Sequence, residues 1–203
     1  MKIRYLIHSI RQEGWAFFFI CVYLFFEYVR PQSIYTQINI VPYVPILLSI
    51  AFIAALLSGE FAKSRPSALN KLMVVYAVIV LISSALSQHP DISFSQWRTF
   101  FDWFLIYFLI VGIITNEKRF FIFFLSFLIY SLKMSQHGFL SWAKRGFSYT
   151  GWGVTGAPGW FHNSGEVGIQ MCIFVPLAIA FIIGVYKHLP KPWLAFFLLM
   201  PVT

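Results

Sequence analysis

Residues 146–186 read GFSYTGWGVTGAPGWFHNSGEVGIQMCIFVPLAIAFIIGVY. The first half, residues 146–166, is polar and glycine-rich, and the second half, 166–186, is a nearly unbroken apolar run. The polar half holds six of the twelve glycines of the chain, at 146, 151, 153, 156, 159 and 165, with Trp152 and Trp160 among them and Trp142 just before. Lys144 and Arg145 introduce it. The apolar half is as long as the ~20 residues a helix needs to cross a bilayer. Irregular backbone at membrane depth survives only where protein or water satisfies it, so a loop of this kind among spans is where chemistry concentrates.

Five more apolar runs precede this one, at approximately 15–29, 40–58, 69–87, 97–115 and 120–135. The first and the fifth are short for a span. A further run starts at Trp193 and stops at Thr203 after eleven residues. The expected architecture is an all-α polytopic membrane protein with about six complete transmembrane helices plus a truncated seventh. Residues 1–203 would form a single transmembrane helical domain, incomplete at the C-terminus, with an external Gly/Trp-rich loop over 137–166. The short final run implies the N-terminal portion of a longer protein. Composition points the same way: 59% of residues are hydrophobic and 11% charged, with a mean hydropathy of +0.75. A soluble domain carries roughly 25% charged residues.

The net charge is +8 and the pI about 9.6. In a soluble chain that balance suggests nucleic acid; here the basic residues sit in short segments between apolar runs, where they set topology. With the N-terminus cytoplasmic, the inner segments carry Lys2, Arg4, Arg11, Lys63, Arg65, Lys71, Lys118, Arg119, Lys187 and Lys191, ten in all. The outer side carries five: Arg30, Arg98, Lys133, Lys144 and Arg145. This places the 146–166 loop outside. Near the start, Ile3, Leu6, Ile7 and Ile10 repeat at helical spacing with Lys2, Arg4 and Arg11 on the other face, the pattern of an interfacial helix. Cys21 and Cys172 lie inside apolar runs, and His8, His89, His137 and His188 are scattered. Neither set has disulfide-framework or metal-ligand spacing. No nucleotide-binding loop, dinucleotide fingerprint or nucleophile elbow is present.

Two groups of residues stand out. Glu27 and Arg30 close the first run, Arg98 and Asp102 open the fourth four residues apart, and Lys133 ends the fifth. Charges in a bilayer are costly and face a partner or a cavity. The proposed topology puts all five in the outer half, which suggests a polar cavity open to the outside; snorkelling to the interface is the plainer account of each alone. In the loop, Asn163 and Ser164 are good helix caps, with Glu166 three residues after Asn163 as in a capping box. The helix starting there would point its partially positive N-terminus outward, a ready anion site. Lys144 and Arg145 could fold back over it, and His162 sits beside the cap. An ordinary capped turn is the plainer account.

The stretch TGAPGWFHNSGEVGIQMCIFVPLAIAF, residues 155–181, resembles the O-antigen ligase and O-antigen polymerase family of bacterial membrane glycosyltransferases. The stretch EYVRPQSIYTQINIVPYVPILL, residues 27–48, is similar to the N-terminal spans of its exosortase-associated ligase-like branch. The resemblance implies a multi-pass enzyme of the bacterial inner membrane, acting at the outer face on a glycan carried by undecaprenyl diphosphate. The acceptor would be lipid A–core, another glycan or a protein. No cofactor, metal, nucleotide sugar or nucleic acid would be needed. Arg145 is the match to the family's arginine ahead of the glycine turn, which meets the donor diphosphate. The family's principal catalytic residues are expected beyond Thr203, so the resemblance assigns no catalytic role in this chain. A transporter or flippase for an anionic lipid-linked glycan, or a non-enzymatic assembly protein, would also explain a basic loop among spans.

Overall fold

The computed structural model describes residues 13–63, 67–148, 153–154 and 163–187, with the backbone alone for Thr36, Lys63 and Arg98. The interfacial helix expected over 3–10 and the run over 193–203 lie outside the described residues. Every regular element among those described is helical: α1 (Trp15–Tyr28), α2 (Pro31–Ile34), α3 (Tyr43–Leu57), α4 (Glu60–Lys63), α5 (Ala68–Ala85), α6 (Pro90–Ser95), α7 (Trp97–Ile113), α8 (Glu117–Lys144) and α9 (Ser164–Val185). A single 3₁₀ turn, Thr36–Ile38, follows α2. Proline opens both α2 and α6 at the first helical position, where its missing N–H costs nothing. Ser67 caps α5 by accepting from the Leu69 N–H at 3.2 Å.

All six apolar runs are helices, but they differ in reach. Among the described residues α5, α8 and α9 are long and apolar enough to cross a membrane, at 18, 28 and 22 residues. Helices α1, α3 and α7, at 14, 15 and 17 residues, are shorter. At 1.5 Å per residue they reach about 21–26 Å, against a hydrocarbon core of about 30 Å. The fifth run shows the largest departure from expectation. Instead of ending near Ser135, α8 continues to Lys144, so residues 137–144 of the segment expected as loop are helical. Helical periodicity carries it on: Leu128, Leu132 and Ser135 are buried, and Gly138 continues the stripe. The polar residues Gln136 and His137 lie between and do not break a helix whose stripe is intact.

The chain divides into two compact units, one within Met1–Ile20 and Pro45–Phe120, the other within Cys21–Val44 and Phe121–Thr203. In the first, α5 and α7 run antiparallel. The Trp97 Nε1–H donates to Ser84 Oγ at 3.1 Å, and the Tyr107 hydroxyl donates to Asn70 Oδ1 at 3.0 Å. Ala16, Phe17, Ile20, Leu48, Ala51, Ala55, Leu109 and Ile113 are buried. On α7, Gly112 has the Phe61 ring of α4 so close that a Cβ would lie 2.7 Å from it.

In the second unit α8 lies antiparallel to α9 and to the C-terminal half of α1. Leu125, Leu128 and Leu132 form one stripe, and Phe174, Ala178, Phe181 and Ile182 form the stripe that meets it. Both helices are long and apolar enough to cross a membrane, and in lipid, whose tails are as apolar as leucine, such a contact is held by close packing more than by escape from water. Phe25 on Tyr130 and Tyr28 on Phe127, both edge-to-face at 5.4 and 5.3 Å, fix the α1–α8 register. Pro176 lies inside α9 and removes the bond to the Cys172 carbonyl, yet the helix is continuous through it.

Candidate functional site

The end of α8 explains the position of the best sequence candidate. Gly146 sits at φ +66, in the left-handed region that glycine occupies without strain. Its N–H bonds the Ala143 carbonyl at 3.0 Å, and the Phe147 N–H bonds the Trp142 carbonyl at 3.2 Å. These are the two bonds of a Schellman stop. The apolar contact that accompanies such a stop is present too: the Phe147 ring meets Trp142 edge-to-face at 4.9 Å.

That stop puts Arg145 at the turn, and its guanidinium Nη2 donates to the Gly153 carbonyl at 2.7 Å. Gly153 is at φ +75, and a Cβ there would lie 3.1 Å from the Ser164 Cβ. Ser164 is the first residue of α9, and the Asn163 side chain caps that helix by accepting from the Glu166 N–H at 2.8 Å. Arg145, a close-approaching glycine backbone and a helix N-terminus thus converge at one end of the second unit. Arg145, Lys144, Asn163 and Ser164 are exposed and Glu166 is half-buried. The N–H groups of Ser164 and Gly165 precede the first intrahelical donor and point along the axis with the positive end of the dipole. His162 lies outside the described residues.

The five span-edge charges divide between the two units, Glu27, Arg30 and Lys133 in the second and Arg98 and Asp102 in the first. Glu27 and Arg30 act on one another electrostatically. Arg30 takes a left-handed conformation, φ 50 and ψ 53, as it caps α2, and its Nε and Nη1 are enclosed without a hydrogen bond. Lys133 is on the exposed face of α8, away from its buried neighbours Leu132 and Met134. Asp102 is half-buried; the side chain of Arg98, four residues before it, lies outside the described residues. Sequence reasoning missed the interior polar chain of the second unit. Gln170 Nε2 donates to Ser131 Oγ at 3.2 Å, and Gln170 also hydrogen-bonds the Tyr28 phenol. The available signal was a glutamine inside an apolar run, where an amide must find a partner.

A cluster in the first unit is equally invisible in the sequence, where Lys118 and Arg119 look like topology markers. Arg119 is 9% exposed. Its Nη1 donates to Glu60 Oε2 at 3.0 Å and to the Ile113 carbonyl at 2.8 Å. Its Nη2 donates to Glu60 Oε1 at 3.2 Å and to the Glu13 carbonyl at 2.6 Å. Glu60 is 5% exposed, and the guanidinium lies 5.7 Å from the Phe17 ring centroid. Lys118 pairs with Glu13 at 2.5 Å; that hydrogen bond, with the positive charges of Lys118 and Arg119, holds the Glu13 carboxyl below its ordinary value. One guanidinium therefore ties together the segment before α1, helix α4, the end of α7 and the start of α8.

Residues 5–153, more than half of the chain, match the model of a family described as a family of unknown function, DUF5935. The chain belongs to DUF5935. No curated protein and no solved structure matches it. The DUF5935 segment covers α1 to α8, Arg145 and its partner Gly153, and stops before α9.

Proposed function

We propose that this DUF5935 protein is a membrane glycosyltransferase of the O-antigen ligase or polymerase type, working at the outer face of a bacterial inner membrane. The observation that carries the reading is the convergence of Arg145, Gly153 and the Ser164 end of α9. The donor is a glycan on undecaprenyl diphosphate, and the acceptor is lipid A–core or another glycan. In the transfer the bond from anomeric carbon to phosphate oxygen breaks, the acceptor hydroxyl oxygen bonds that carbon and loses its proton, and lipid diphosphate leaves. The group that needs stabilising is the departing diphosphate. Arg145 and the α9 N-terminus supply positive charge and N–H donors for it, fixed in advance by the Schellman stop and the Asn163 cap.

In this reading the six apolar helices all cross the membrane, with the N-terminus cytoplasmic, and the short α1, α3 and α7 use flanking residues to do so. The ten-to-five bias of lysine and arginine supports that orientation. Single cysteines at Ser64 and Thr150, in a background lacking Cys21 and Cys172, test it with an impermeant thiol reagent on intact spheroplasts. Position 150 is expected to label and position 64 to stay protected; the reverse pattern refutes the topology.

The functional test uses the purified full-length gene product in liposomes with an undecaprenyl-diphosphate-linked oligosaccharide and candidate acceptors. Arg145→Ala is expected to lower kcat/KM roughly 10–100-fold, the effect of losing a charge-assisted hydrogen bond of about 1.5–3 kcal/mol. Arg145→Lys should recover little, because one ammonium cannot both hold the Gly153 carbonyl and fork toward a phosphate. Transfer by Arg145→Ala at the wild-type rate removes the residue from the site.

A further inference from the structure

Three aromatic rings cluster where α8 stops. Phe139, Trp142 and Phe147 lie within 4.9–6.5 Å of one another, ring centroid to centroid. Phe147 is 54% exposed and Phe139 44% exposed, and Lys144 and Arg145 stand beside them in the chain. Phe147 is also backbone-strained. At φ 58 it occupies the left-handed region directly after Gly146, although it is bulky and not glycine. A large residue there is an outlier of the kind that clusters at working sites. The strain is only partly offset by burial, since about half of the residue stays exposed.

The height of this cluster decides what could use it. Glu117, Lys118 and Arg119 open α8, and 28 residues of helix span about 42 Å. With that charged first turn at one interface, about 30 Å of hydrocarbon ends near residue 138. Phe139 to Phe147 then fall in the headgroup layer and just beyond. A diphosphate on a membrane lipid sits at that depth, and its first sugar sits just outside it.

We propose that Phe139, Trp142 and Phe147 form a stacking platform for the sugar ring nearest the diphosphate, beside the phosphate contact of Arg145. The proposal rests on the glycosyltransferase reading and names what the site recognises beyond charge. A pyranose presents a face of C–H groups that lies flat on an aromatic ring, and Arg145 holds the adjoining phosphate. Phe147 keeps its strained backbone because that conformation sets its ring edge-to-face with Trp142 while leaving about half of the residue exposed.

The experiment compares the affinity of the protein in nanodiscs for two probes: undecaprenyl diphosphate, and the same lipid diphosphate bearing N-acetylglucosamine. The wild type is expected to bind the sugar-bearing probe roughly tenfold more tightly, the factor given by about 1.4 kcal/mol of contact. Phe147→Leu should abolish that preference and leave affinity for the bare diphosphate unchanged. Phe147→Gly, which relieves the backbone strain, should do the same. Arg145→Ala should weaken both probes together. If the wild type binds both probes equally, or if Phe147→Leu and Phe147→Gly weaken both alike, the rings are an interface anchor and the platform is refuted. If the wild type binds neither, the glycosyltransferase reading itself fails.

Discussion

Arg119→Ala is expected to remove about 3–5 kcal/mol of stability, the cost of breaking a buried ion pair by removing one member. The group that loses the guanidinium is Glu60, 5% exposed, both of whose oxygens rest on it. The carbonyls of Ile113 and Glu13 lose their donor in the same substitution. Arg119→Lys should recover only part, because an ammonium cannot reach two carboxylate oxygens and two carbonyls in the geometry of a planar fork. Folded protein recovered in detergent, and its melting temperature by size-exclusion chromatography, give the readout. Glu60→Ala alone should be nearly as harmful, and Arg119→Ala with Glu60→Ala together less harmful than the two effects added. Strict additivity would refute the coupling.

The same cluster predicts a pH dependence from Glu13. Its folded-state value lies below the ordinary 4.5, chiefly through the Lys118 hydrogen bond. A depressed carboxylate adds stability that is present above its unfolded value and is lost as pH falls through the folded one. The effect should be flat near neutrality and appear below pH 4.5. Glu13→Gln should flatten it. Lys118 is 58% exposed, so solvent screening keeps the effect small beside that of Arg119.

Gly112→Ala is expected to destabilise by roughly 1–3 kcal/mol, the range for overpacking a filled interior. A Cβ at this buried position would stand 2.7 Å and 2.9 Å from two atoms of the Phe61 ring. The ring cannot simply swing clear, since it also packs against Phe52 at 5.9 Å. Gly112→Val should cost more. The cause is local, so Phe61→Leu should restore much of the stability lost in Gly112→Ala while lowering it in the wild-type background. Thermal melts of the four proteins measure this. If Phe61→Leu lowers both backgrounds equally, the close approach at Gly112 is not what limits packing.

Helix identity and order were legible because apolar length is a one-dimensional property. Each of the six runs became a helix, and the run over 166–186 lies within two residues of α9. The Asn163 cap was legible too, since a cap is a contact over three residues. Arg145 was singled out for its place before the glycine turn, and the structure gives it a definite partner in Gly153.

Longer-range facts were set by tertiary structure alone. The continuation of α8 to Lys144 depends on a stripe that keeps packing past Ser135, which no local break signal reveals. The Arg119–Glu60 pair joins residues 59 apart, and Gln170 meets Ser131 across 39. Nothing in a sequence of loop cations separates a lysine that marks topology from an arginine buried as a clamp. The difference lies in whether other segments close over it, as α4, the end of α7 and the segment before α1 do around Arg119. Phe147 gives the same lesson at short range. Its ring was one of many phenylalanines in an apolar chain until Gly146 stopped the helix and turned that ring onto Trp142.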